Sequence, residues 1–227
     1  MTLLHYVMLA LGCVVAYLVG SIPSAVWIGK SFYGVDVREK GSKNAGATNT
    51  IRVLGLLPGL FVLLTDALKG WFAVYLGNFF GRFYTEIWGM VSGAEYLTYY
   101  KLALGVIAVI GHALPIYVGF KGGKGVATML GVVIGIFEHL LPLILLTFII
   151  TFILYKYISL ASIVTSIAFP ILYITCGHWL NYQVYIPLIV FTCIVAIFIP
   201  YTHRKNIVRL IKKEEPKFKF KKTVDEC

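Results

Sequence analysis

The sequence is short of charge, and of negative charge above all. Only 13% of its 227 residues are Asp, Glu, Lys or Arg, and just 10 are acidic, whereas 59% are hydrophobic and the mean hydropathy is +0.85. A soluble domain carries about twice that charged fraction, so there is too little polar surface here to coat a water-soluble particle. Cysteine is scarce as well. Cys13, Cys176, Cys193 and Cys227 form no Cys-x-x-Cys pair, which argues against a metal centre or a disulfide scaffold; in apolar runs a free thiol packs as a small hydrophobe. No His is followed five residues later by Asp, Gly-x-Ser-x-Gly is absent, and no carboxylates pair at the spacing of a magnesium-dependent site. No metal, no cofactor and no nucleic-acid partner is expected.

What the chain has is apolar length. A bilayer crossing needs roughly 20 apolar residues, with about 17 the short limit. Runs at 3–19, 54–80, 102–116, 160–175 and 184–199 qualify or come close. The stretch 126–155 is too long for one crossing, since 30 helical residues would rise about 45 Å. Glu138, His139 and Pro142 interrupt it, so it is split into two short antiparallel helices with a hairpin over 137–142. The expected fold is an all-α polytopic bundle of seven transmembrane helices. Residues 1–210 form a single integral membrane domain and 211–227 a basic tail. Seven crossings put 17 of the 20 Lys and Arg residues on one face. Basic residues collect on the cytoplasmic side, so the N-terminus is expected outside and the C-terminus inside. The net charge of +10 is then a charge of the inner face.

Two inside segments carry polar chemistry. The first holds Gly41-Ser42-Lys43-Asn44-Ala45-Gly46-Ala47-Thr48-Asn49 between Arg38 and Arg52. Gly and Asn let successive N–H groups turn toward one anion, hydroxyl and amide side chains add donors, and guanidinium groups grip phosphate oxygens in pairs. A solvated loop that only enforces topology would be basic too, but would not need so many small polar residues. The second is Gly119-Phe120-Lys121-Gly122-Gly123-Lys124-Gly125, preceded by Gly111-His112 and Pro115. It fails as a nucleotide-binding P-loop, which would need Gly at Val118 and Ser or Thr at Gly125. A glycine turn presenting two ammonium groups to an anion remains, with a flexible connector as the alternative.

Three further groups stand out. Asp66 and Lys69 share a helix face inside the second span, as an ion pair or as a buried anion partner. Ser159 and Ser162 open the sixth span, suited either to capping or to an anion at the helix N-terminus. His203, Asn206 and Arg209 recur every third residue as one polar stripe where the last helix leaves the membrane. The distal lysines Lys212, Lys213, Lys217, Lys219, Lys221 and Lys222 suit anionic lipid headgroups. A transporter of phosphate esters could use the same inner anion sites, but internal repeats are absent and the Gly- and Lys-rich motifs lie on one face, both of which favour an enzyme.

Taken in order, several motifs resemble the bacterial glycerol-3-phosphate acyltransferases of the acyl-phosphate-dependent type, the PlsY family. They are Gly20-Ser21-Ile22-Pro23, Asp36-Val37-Arg38 through Asn49, Arg52, Asp66-x-x-Lys69-Gly70, Gly111-His112, residues 120–125, Ser159-Leu160-Ala161-Ser162 and His203-x-x-Asn206-Ile207-x-Arg209-Leu210. The resemblance implies a seven-helix enzyme of the bacterial cytoplasmic membrane with its active face inside. It would move an acyl group from acyl phosphate to the 1-hydroxyl of sn-glycerol 3-phosphate, giving lysophosphatidic acid and phosphate. By the same likeness Ser42, Asn44, Thr48, Asn49 and Arg52 handle phosphate, Lys121 and Lys124 form the basic glycine loop, and Ser159, Ser162, His203 and Asn206 surround glycerol 3-phosphate. His203, Asn206, Lys121 and Arg52 are the expected catalytic set. Lys43 and Lys213 stand where the family commonly has glycine; Lys43 adds charge near the phosphates and weakens the case that its position needs a positive φ.

Overall fold

A computed structural model describes residues 3–81, 90–179 and 184–218. Among the described residues the secondary structure is helical, without strands. The helices are α1 (Leu3–Gly20), α2 (Ser24–Tyr33), α3 (Ala47–Leu54), α4 (Leu56–Phe80), α5 (Met90–Ala113), α6 (Val126–Ile136), α7 (Leu141–Tyr155), α8 (Ile158–Trp179), α9 (Ile186–Thr202) and α10 (Arg204–Ile211). Lipid offers no hydrogen bonds, so a chain this apolar closes its backbone groups within helices. The described residues form two compact units, one ending at Phe137 and the other beginning at Glu138.

In the first unit, α4 packs against α1, α3, α5 and α6. Small residues let the backbones touch. A β-carbon at Gly70 of α4 would overlap the Thr128 carbonyl of α6, and one at Gly131 of α6 would overlap the Ala67 carbonyl of α4. Between hydrocarbon-soluble helices there is little hydrophobic drive, and such close approaches supply the van der Waals contact instead. Helices α1 and α5 meet in the same way, with Gly20 against the Ala108 backbone and Gly111 against Tyr17 and Ser21. Tyr100 Oη donates to the Leu9 carbonyl at 2.9 Å and Tyr17 Oη to the Leu114 carbonyl at 2.8 Å, tying the pair at two levels.

In the second unit, α8 packs against α7 and α9, and α10 follows α9 through a 62° bend at His203. Pro200 lies in the last turn of α9, where its missing N–H and its ring weaken the helix. The residues after α10 fold back: the Phe218 N–H donates to the Lys156 carbonyl at 2.8 Å, and its ring meets Phe152 edge-on at 5.6 Å.

Against the expected seven crossings, five helices among the described residues are long and apolar enough to span, or six if the bent α9–α10 pair counts as one. The remaining segment, α6, has 11 residues and rises only about 16 Å. The break within 126–155 falls where Glu138 and Pro142 predict it, with Phe137 ending α6 and a 3-10 turn over Glu138–Leu140. The helix of the third span begins earlier than its apolar run suggests, at Met90 rather than 102, because Glu95, Lys101 and a run of tyrosines dilute its hydropathy. The inside segment 20–54 contains two short helices, α2 and α3, rather than loop alone. The His203 stripe is not a single helix face, because His203 caps α9 and Asn206 and Arg209 belong to α10. Arg82, Lys219, Lys221 and Lys222 lie outside the described residues.

Candidate active site

The loop 41–49 is built around Asn49. Its amide nitrogen donates to the Val37 carbonyl at 2.7 Å and the Lys40 carbonyl at 3.1 Å, and its oxygen accepts the Ser42 N–H at 2.7 Å. The side chain is 1% exposed. Expected as a ligand to substrate, Asn49 is instead committed to shaping the loop. Gly41 has φ +61°, and a β-carbon there would strike the Asn49 oxygen. Lys43 also lies in the left-handed region, at φ +59°, so the lysine does not weaken the case for a positive φ at this position. The loop turns there whatever the residue, and a lysine in that conformation costs about 1–2 kcal/mol. Ser42 and Thr48 are exposed and Asn44 is half-buried, with Arg52 exposed one turn along α3. Gly46 caps α3, and the N–H groups of Ala47 and Thr48 open the helix without a carbonyl one turn behind them.

Arg38, the other flanking arginine, does different work. Its guanidinium holds Asp36 from two sides, Nε to Oδ1 at 3.0 Å and Nη2 to Oδ2 at 2.8 Å, while Nη1 donates to the Val118 carbonyl at 3.1 Å. Lys30 adds a contact to Asp36 at 3.2 Å. The Arg38 hydrogen bond holds the Asp36 carboxyl well below the usual carboxylate range, and the pairing raises Arg38 in turn. The clamp ties the segment before loop 41–49 to the start of loop 119–125.

That second loop turns through three left-handed residues, Gly119 at φ +68°, Phe120 at +60° and Gly125 at +80°. Its middle rests on the end of α5: the Gly122 N–H donates to the Ala113 carbonyl and the Gly123 N–H to the His112 carbonyl, both at 3.2 Å. A β-carbon on Gly123 would overlap Nε2 of His112 and would come within 2.7 Å of the Ala45 carbonyl. Gly123 is therefore where the two loops meet. Lys121 is exposed and Lys124 half-buried at this junction.

Beneath the loops lies a buried polar cluster. Asp66 Oδ1 accepts from Ser24 Oγ at 2.5 Å, pairs with Lys69 Nζ at 2.9 Å and faces His112 Nδ1 at 3.6 Å. Lys69 Nζ also donates to the Ile22 carbonyl at 2.9 Å. The sequence spacing shows the Asp66–Lys69 pair; Ser24 and His112, distant in sequence, it leaves out.

The second unit holds its own polar group, centred on a residue the sequence reading passed over. Glu215 is 7% exposed. Its Oε1 accepts from Ser159 Oγ at 2.9 Å and Asn206 Nδ2 at 2.7 Å, and its Oε2 from Arg209 Nε at 2.6 Å. Burial pushes the Glu215 carboxyl up, but the bonds from Arg209, Asn206 and Ser159 outweigh it and leave it below its ordinary value. The available signal was the acidic pair Glu214-Glu215 set among lysines. Ser162 Oγ donates to its own helix at the Ile158 carbonyl, 2.9 Å away. His203 is buried, with Nδ1 2.8 Å from the Ile199 carbonyl. A carbonyl only accepts, so Nδ1 carries the proton and Nε2 bears the lone pair of the neutral ring. Among the described residues no cluster of His, Cys, Asp and Glu could hold a metal ion.

Comparison with known proteins points the same way. The glycerol-3-phosphate acyltransferase family matches residues 10–213. A glycerol-3-phosphate acyltransferase of Staphylococcus carnosus is 44% identical over 213 residues, covering 94% of this chain and 99% of that protein. The enzyme so named in Fusobacterium nucleatum is 42% identical over 211 residues, covering 91% and 96%. Among solved structures, PlsY (YgiH), an integral membrane glycerol 3-phosphate acyltransferase, superposes in its glycerol 3-phosphate form with a TM-score of 0.76 at 31% identity, covering 93% of this chain and 96% of that one. Its lysophosphatidic acid form superposes at 0.72 and 30% identity, with the same coverage.

Proposed function

The chain belongs to the glycerol-3-phosphate acyltransferase family, and from that premise we propose that it moves an acyl group from acyl phosphate to the 1-hydroxyl of sn-glycerol 3-phosphate. The products are lysophosphatidic acid and inorganic phosphate. The glycerol 3-phosphate and lysophosphatidic acid forms of the solved relative support the acceptor and the product. The observation that carries the donor is the meeting of two cationic, N–H-rich loops at Gly123 and Ala45. Two phosphate groups repel unless donors and cations surround them, and these loops offer Ser42, Asn44, Thr48, Arg52, Lys121 and Lys124. Ser159, Ser162, His203 and Asn206 are assigned to glycerol 3-phosphate.

An acyl phosphate is a mixed anhydride with a good leaving group, so no covalent enzyme intermediate is needed. The glycerol oxygen bonds to the acyl carbon, the carbon–oxygen bond to phosphate breaks, and the hydroxyl proton goes to a substrate phosphate oxygen. The protein then contributes positioning and electrostatic stabilisation. We place the enzyme in the bacterial cytoplasmic membrane among its lipids, with seven crossings if α6 is counted. The N-terminus lies outside and the loops and C-terminus inside, supported by the 17 of 20 basic residues assigned to one face. The test uses purified protein in detergent, which abolishes transport but not group transfer. Phosphate release that needs both acyl phosphate and glycerol 3-phosphate, and that acyl-CoA does not replace, is expected. No release from folded protein would overturn the assignment.

A further inference from the structure

His112 touches both the buried charges and the glycine loop. On one side of its ring Nδ1 faces Asp66 Oδ1 at 3.6 Å; on the other, Nε2 lies directly under Gly123, and the His112 carbonyl accepts the Gly123 N–H at 3.2 Å. Asp66 is fixed in turn by Ser24 and Lys69, and Lys69 by the Ile22 carbonyl. Ile22, Ser24, Ala45, Asp66, Lys69 and His112 all line one small cavity of about 10 Å³, together with Gly122 and Gly123. Nothing soft separates the ring from the loop, since even a methyl group on Gly123 would collide with it.

We propose that His112 is a positioning residue for phosphate binding: braced by Asp66, its ring sets the height of Gly122 and Gly123, and through them the placement of Lys121 and Lys124 against loop 41–49. His112 touches no substrate in this role. It acts through the backbone of the loop, and it can do so only if the two loops hold phosphate, as assigned above. Either phosphate monoester, that of glycerol 3-phosphate or that of acyl phosphate, would feel a displaced loop, and separate titrations tell which.

The full-length chain in detergent serves for the test. His112→Ala lets the loop sink, and its apparent KM for at least one of the two phosphate substrates is expected to rise tenfold or more while kcat stays within about threefold. Gly123→Ala lifts the loop off the ring and should raise the same KM. The double variant, where the new methyl occupies space left by the ring, should recover part of the affinity lost by each single variant. A hundredfold fall in kcat at unchanged KM would make His112 catalytic and overturn the proposal. Wild-type KM in folded His112→Ala, or losses that simply add in the double variant, would reduce it to a packing residue and overturn it equally. If His112→Ala does not fold, the milder truncation His112→Asn takes its place: a raised KM is expected, and a wild-type KM in that folded variant overturns the proposal. Protection against thermal unfolding by glycerol 3-phosphate or inorganic phosphate, measured on each protein, keeps the two assignments apart. A wild type that binds phosphate without turnover would sink the proposed reaction yet still test His112 through the shift in binding.

Discussion

The side-chain oxygen of Asn49 accepts the backbone N–H of Ser42 at 2.7 Å, while its nitrogen serves two carbonyls behind it. A buried residue of α3 thus folds the loop that precedes its own helix. Asn49→Ala would strand one N–H and two carbonyls, a cost of about 2–3 kcal/mol. Asn49→Asp should cost at least as much, because it turns a lone pair toward Val37 and Lys40. Thermal unfolding in detergent would show both variants falling well below wild type, and a wild-type midpoint for Asn49→Asp would mean the amide is not placed as described.

The two arginines flanking this loop should separate cleanly. Arg38 is spent on Asp36 and Val118, so Arg38→Ala is expected to lower the unfolding temperature. Arg52 is exposed, so Arg52→Ala should leave the unfolding temperature unmoved and raise the apparent KM of a phosphate substrate roughly 10- to 100-fold, the worth of one charge-assisted contact. Unfolding curves and steady-state kinetics on both variants check the exchange of roles.

Glu215 makes a pH prediction. Its folded carboxyl titrates below the ordinary value of 4.5, so the folded state binds that proton less readily than the unfolded chain. The stability it contributes is complete above the ordinary value and is lost as pH falls through the lowered one. Glu215→Gln should flatten the acid limb of the unfolding-temperature profile. Glu215→Ala, which leaves Arg209, Asn206 and Ser159 facing an empty position, should cost about 2–4 kcal/mol at neutral pH. An acid limb unchanged in Glu215→Gln would assign that loss to other carboxylates.

His203 is placed to orient rather than to take a proton, if the substrate phosphate is the base. His203→Gln and His203→Ala are then expected to lose apparent affinity for glycerol 3-phosphate while keeping turnover, with the pH–rate profile unshifted. Turnover that collapses in both variants, together with the disappearance of the acid limb that protonation of the ring produces, would make it an obligate general base.

Lys43 invites a substitution with opposite effects. Lys43→Gly relieves the left-handed strain at φ +59°, a gain of about 0.5–1 kcal/mol after the entropy of the new glycine, or ~2 °C in unfolding temperature. It also removes a cation from the loop, so affinity for phosphate should fall. Lys43→Ala loses the charge and keeps the strain, and should show no thermal gain.

Long apolar runs were legible at once: α1 begins at Leu3 and α4 ends at Phe80, where hydropathy places them. The break near Pro142 was legible too, because a proline and two polar residues leave few alternatives. The short helices α2 and α3 were not, since their stability comes from packing on α4 rather than from their own sequence. The loops could be found by composition, as Gly, Ser, Asn and Lys crowd together in few other circumstances. Which of their polar groups are spent internally was hidden. Asn49 and Thr48 are neighbours of similar chemistry, and only the course of the backbone decides that one is buried and the other exposed. Glu215 shows the same limit, as its partners Ser159 and Asn206 lie 56 and 9 residues away.

The crossing of α4 and α6 has one more consequence. Gly70 follows Lys69 directly and lies four residues after Asp66, so the place where two backbones touch adjoins the buried charges. Charged groups at that depth invite water, and a file of water through a membrane protein would short-circuit the proton gradient that the cell maintains. A seam made of side chains can open whenever a rotamer turns. Where Gly70 meets Thr128 and Gly131 meets Ala67, not even a methyl group fits between the helices. The seam there is main chain on main chain, so the turn of a side-chain rotamer does not part it.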